Sequence, residues 1–168
     1  MDPEQDLLAS TLREIIPSPG RLYVGAAIFR IWAGGTLSIL LMRRAQGQPD
    51  AELWEIPAGE VMESDRNVEE AIRRIVREQT QLTVFRVEDE LSAIQISPTN
   101  ERPLVIQLNF RVLVNERLSD RVLADWNDIN YSDLVWARQD HAYEYDLRRE
   151  LAMLNVIDEA YDACSDDL

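Results

Sequence analysis

Acidic side chains crowd one short stretch of this chain. Between Leu53 and Asn67 the sequence LWEIPAGEVMESDRN carries Glu55, Glu60, Glu63 and Asp65, with Gly59 among them. A carboxylate turned into a pocket can give or take a proton at a substrate, acting as general acid or base. Several carboxylates together can hold a hard divalent cation. Farther on, Glu70, Arg74 and Glu78 follow one another four residues apart. On a helix that spacing builds a ladder of surface ion pairs, each contributing only a few tenths of a kcal/mol. His141, the only histidine, stands beside Tyr143 and Tyr145 in QDHAYEYD. It is either a proton shuttle near neutral pH or an ordinary loop residue. Trp54, Trp126 and Trp136 read as core or rim aromatics, though Trp32 and Trp126 could line a pocket.

Two chemistries are absent. The chain has no lysine, which removes Schiff-base and P-loop lysine mechanisms. Cys164 is the single cysteine, so no disulfide forms within the chain, and nothing around it resembles a metal-ligand cluster. It reads as an inert thiol near a C-terminal tail.

The elements that must position these residues follow from periodicity. Pro3 to Ile16 places Leu7, Leu8, Leu12, Ile15 and Ile16 at helical spacing, and the PSPG stretch from Pro17 to Gly20 stops that helix. RLYVGAAIFRIW and TLSILLMRRA, joined at Ala33-Gly34-Gly35, read as a hairpin. LWEIPAGEV is a short strand running into a glycine turn. Asn67 to Gln79 is the clearest helix, with Val68, Ala71, Ile72, Ile75 and Val76 on one apolar stripe. VFRVEDELSAIQIS, PLVIQLNFRVLV and SDLVWA are further strands. A last helix runs from about Tyr145 to Ala163, with Leu147, Leu151, Leu154, Ile157 and Tyr161 on its apolar face. The order predicts one α/β domain built on a mixed sheet. It occupies 1–168, with a helix and turn over 1–20, a C-terminal helix over 145–163 and a tail over 164–168.

Length and composition agree. The 168 residues suffice for one core, and the hydrophobic fraction of 46% is ordinary for a globular chain. No apolar run approaches a membrane span, and the acidic start MDPEQDLLAS lacks the order of a secretory signal. A cytoplasmic location is the default expectation. The net charge of −14 repels phosphate backbones, so nucleic acid is not expected as a partner.

From Leu53 to Leu82 the segment LWEIPAGEVMESDRNVEEAIRRIVREQTQL resembles a Nudix box, the signature GX5EX7REUXEEXGU of the Nudix hydrolases. Trp54-Glu55-Ile56-Pro57-Ala58-Gly59 is similar to that family's lead-in. AIRRIVREQTQL aligns without gaps on its helix and exit, provided the loop EVMESDRN is one residue longer than usual. The flanking strands and the late helix extend the resemblance to about Arg21–Asp162. It implies a Nudix-like α/β/α sandwich around a mixed β-sheet. In that family, three helix glutamates hold divalent cations and help activate water against a diphosphate.

Measured against that pattern, Arg74 falls on the family's Arg, but Ile75 replaces the Glu that follows. Glu78 keeps the first Glu of the pair, Gln79 replaces the second and Gln81 stands at the usual Gly. The early Glu falls at Asp65 or Arg66. A gapless start from Gly59 would instead make Asp65 that acid and Arg73 the Arg. Ile75 extends the apolar stripe where a ligand carboxylate belongs, and it neither coordinates a cation nor carries a proton.

The resemblance and its departures give the following expectation. No cofactor is required, although weak Mg2+ binding through Glu78 stays open. Glu55, Glu60, Glu78 and His141 are the candidate catalytic residues, the first two because they flank the glycine turn that abuts substrate in the family. Gly59, Arg74, Trp126 and Tyr143 are candidates for binding it. The expected role is metal-independent, non-hydrolytic acid/base chemistry on a small organic molecule, such as an isomerisation, cyclisation or elimination. Two rivals stand beside it: a divergent hydrolase of a nucleoside diphosphate-type or prenyl diphosphate substrate, and a non-catalytic binding or scaffold domain. The partner is a small molecule, with neither membrane nor nucleic acid, and a homodimer is open to it.

Overall fold

Strand β1 (Arg21–Ile31) organises the sheet because every neighbour it needs is brought to it. The computed structural model describes residues 21–32, 34–96, 99–100, 103–114 and 128–165. The expected N-terminal helix, Pro3 to Ile16, and Trp126 lie outside the described residues. The far end of β1 pairs antiparallel with β2 (Leu37–Arg44), Phe29 opposite Ile39. Its near half pairs antiparallel with β4 (Ala58–Glu60), Val24 opposite Gly59, and parallel with β6 (Val105–Val114), Val24 opposite Leu108. Beyond β6 lies β5 (Val84–Ile96), while β2 also carries β3 (Trp54–Glu55) and β7 (Tyr131–Arg138). One parallel pair among antiparallel ones makes the seven-stranded sheet mixed.

Both faces of this sheet are covered, which is why β1 and β2 are apolar on successive residues rather than alternating. On one face, Val24, Ala26, Ile28 and Leu40 pack against helix α1 (Val68–Thr80). On the other, Ala27, Phe29, Ile39 and Leu41 pack against helix α3 (Glu150–Ser165), with the one-turn helix α2 (Gln139–Ala142) beside it. The architecture is the α/β/α sandwich of the Nudix fold. Among the described residues no helix is long and apolar enough to cross a membrane.

Helix α1 follows the expected pattern. Asn67 caps it by accepting a hydrogen bond from the Glu70 amide at 2.9 Å, and the left-handed Gln81 ends it. Val68, Ala71, Ile72, Ile75 and Val76 are all buried. Burying each of the Val and Ile side chains contributes roughly 1.5–3 kcal/mol.

Three expectations are corrected. Gly59 lies in strand β4 and not in a turn; no left-handed backbone requires glycine there. The helix above crowds it instead, since a Cβ at Gly59 would meet Ile75 Cδ1 and Cγ1 at 3.1 Å. The last helix begins at Glu150, because Arg149 turns left-handed at φ 52° and the preceding segment is tied to β3. There the Trp54 amide donates to Asp146 O (2.9 Å) and the Arg148 amide to Trp54 O (2.8 Å). Its apolar face therefore runs through Met153, Val156, Ile157, Ala160, Tyr161 and Cys164, and Leu151 is 80% exposed. Cys164 is accordingly a buried residue of that face, not part of a tail.

Candidate functional site

Four of the expected site residues do come together, at the edge where β4 meets α1. Gly59 and Glu60 end β4, and the Glu60 carbonyl accepts a hydrogen bond from Arg74 Nη2 at 3.0 Å. Arg74 also binds Asp65 twice, Nε to Oδ1 at 2.9 Å and Nη2 to Oδ2 at 2.7 Å, and reaches Glu78 with Nη1 at 3.2 Å. Asp65 further accepts from the Met62 amide at 2.8 Å. The Arg74 side chain, helped by that amide, outweighs burial and holds the Asp65 carboxyl below its ordinary range. Arg73 pairs instead with Glu69 and the Val84 carbonyl, and Arg66 with Glu70.

Glu55 is elsewhere, and its environment corrects the expectation of a pocket-facing base. It is 1% exposed. Oε1 accepts from Arg44 Nη1 at 2.8 Å and from the Tyr131 hydroxyl at 2.9 Å, and Oε2 from Arg148 Nη1 at 3.0 Å. Arg148 is held in turn by Asp50, Nε to Oδ2 at 2.7 Å. Burial and the Glu55 charge raise the Tyr131 phenol well above its ordinary value, so it stays a neutral donor. Both carboxylate oxygens are thus committed to holding β2, β3, β7 and the approach to α3 together. Sequence reasoning misses Arg44, Arg148 and Tyr131; the adjacent pairs Arg43-Arg44 and Arg148-Arg149 are a signal for the two arginines, and nothing local marks Tyr131.

His141 and Tyr143 lie across the sheet from Arg74 and Glu78. Helix α2, which carries His141, packs through Ala142 into the core beneath α3, whereas α1 covers the opposite face. The His141 imidazole is half exposed, with Nδ1 3.1 Å from Glu144 and Nε2 3.7 Å from Asp140. Tyr143 is 66% exposed. A cavity of about 510 Å3 opens between the β1–β2 connection, α2 and the end of α3, lined by Thr36, Leu37, Arg138, Asp140 and Tyr161 among others. None of the expected site residues lines it.

The cation that the Nudix pattern implies finds no fitting set of donors at α1. Ile75 is 3% exposed within the core. The Gln79 amide nitrogen donates to the Ala58 carbonyl at 2.6 Å, and Glu78 is an exposed carboxylate held by Arg74. Among the described residues, no group of three or more His, Cys, Asp or Glu side chains gathers as a cation would require.

Comparison with known proteins bears on family and fold. The family described as NUDIX domain matches residues 21–150. No curated protein matches the sequence. Among solved structures, the chain is similar to the NUDIX domain of Shewanella oneidensis NrtR complexed with ADP ribose, at 20% identity and a TM-score of 0.67, covering 98% of this chain and 99% of that one. It is similar to Shewanella oneidensis NrtR complexed with a 27mer DNA, at 21% identity and a TM-score of 0.68, covering 87% of this chain. This chain spans only 63% of that longer protein. The MutT protein from Methanosarcina mazei Go1 is similar at 21% identity, with a TM-score of 0.64, covering 89% of this chain and 98% of that one. At such identities these likenesses establish the fold alone.

The DNA complex overturns one expectation, that an acidic domain of this kind excludes nucleic acid. Net charge sums a whole surface, while binding is decided by local patches and by whatever the domain is joined to. The exclusion is withdrawn.

Proposed function

The chain belongs to the NUDIX domain family, and we propose that its fold serves to bind a small molecule of the nucleoside diphosphate type without hydrolysing it. The observation that carries this is Ile75. By the resemblance it stands where the family carries a glutamate, it lies 3% exposed in the core beneath α1, and it packs so closely on β4 that a Cβ at Gly59 would meet it at 3.1 Å. The position has been absorbed into packing, and no rotamer change returns an oxygen donor to it.

The same geometry favours binding over acid/base turnover. A general base needs an oxygen free to approach the substrate. Both Glu55 oxygens are taken by arginines and a tyrosine, and Glu78 is held at the surface by Arg74. Glu60 is exposed at the end of β4. The ligand class is suggested by the ADP ribose complex of a similarly folded NUDIX domain.

Calorimetry with ADP ribose, run once in EDTA and once in Mg2+, tests the reading, with chromatography of the ligand afterwards. Binding of similar strength in both buffers with the ligand recovered intact is the expected result. At a hundred times Kd, such a ligand raises stability by about 2.7 kcal/mol. Mg2+-dependent appearance of AMP and a phosphosugar would establish a hydrolase and overturn it.

A further inference from the structure

We draw no further inference here: the strongest candidate, the cavity between the β1–β2 connection, α2 and the end of α3, is an open groove in which Arg138 is already paired with Asp140 and the buried Tyr161 hydroxyl already donates to the Ala137 carbonyl, so nothing in the structure shows what covers it.

Discussion

Arg74 grips Asp65 through two parallel hydrogen bonds, at 2.9 and 2.7 Å, and so fastens the loop between β4 and α1 onto the polar face of the helix. The pair makes a stability prediction with a definite sign. The Asp65 carboxyl is held below its unfolded value, chiefly by Arg74. Its contribution is therefore complete above about pH 4, the unfolded range, and is lost as pH falls through the lower folded value. Asp65→Asn should cost about 1–3 kcal/mol at pH 7, the scale of a hydrogen bond to a charged group. Urea unfolding of parent and variant should show that gap closing as the pH is lowered toward 2. A gap that stayed constant with pH would remove ionised Asp65 as its source.

Gly59 and Ile75 should be energetically coupled. A Cβ at Gly59 would stand 3.1 Å from Ile75 Cδ1 and Cγ1, tighter than ordinary van der Waals contact. Gly59→Ala should thus destabilise by roughly 1–3 kcal/mol, as overpacking does. In an Ile75→Val background, which removes Cδ1, the same substitution should cost less. Equal costs in the two backgrounds would mean that strand and helix yield independently.

Putting the family's carboxylates back is a harsher test of the alignment. Ile75→Glu with Gln79→Glu should lower the melting temperature, since Ile75 sits in apolar surroundings where an unpaired charge is expensive. It should also add charged oxygen donors, so millimolar Mg2+ should restore part of the lost temperature in the double variant and none in the parent. If Mg2+ restores nothing, residues 75 and 79 do not face a common cation position.

The α1 stripe was legible because helical periodicity reports burial directly, and Val68, Ala71, Ile72, Ile75 and Val76 all face the core. Gly59 is ambiguous in sequence because glycine marks both turns and close approaches, and only the position of Ile75 tells them apart. The burial of Glu55 is not legible in sequence because one of its partners, Arg148, lies 93 residues away. Nothing local distinguishes a buried, paired carboxylate from one that faces a ligand.

Helix α3 shows the same limit and offers a clean check. The apolar spacing of Leu147, Leu151 and Leu154 suggests one continuous face, but the left-handed Arg149 resets the helix phase. Leu151→Ser should therefore change stability by no more than about 0.5 kcal/mol, as exposed sites do. Ile157→Ala, in the core, should cost about 2–5 kcal/mol. Denaturant midpoints that fell equally for both would put Leu151 back into the interior.

The Glu55 cluster is where a single substitution should do most damage. Its carboxylate answers two guanidinium groups from β2 and from the segment before α3, with Tyr131 completing the shell. Glu55→Gln keeps the shape and removes the charge, leaving Arg44 and Arg148, both largely buried, to repel one another. Breaking one side of a buried ion pair costs roughly 3–5 kcal/mol, because the partner charge stays desolvated. Tyr131→Phe removes one neutral donor and should cost about 1 kcal/mol. The two effects should fall short of additive, since both act on Glu55 Oε1 and its surroundings. Denaturant unfolding of the two single variants and the double variant reads all three values. If Glu55→Gln proved as stable as the parent, the cluster would not be what joins β2 and β3 to the approach of α3, and Glu55 would again be free for another role.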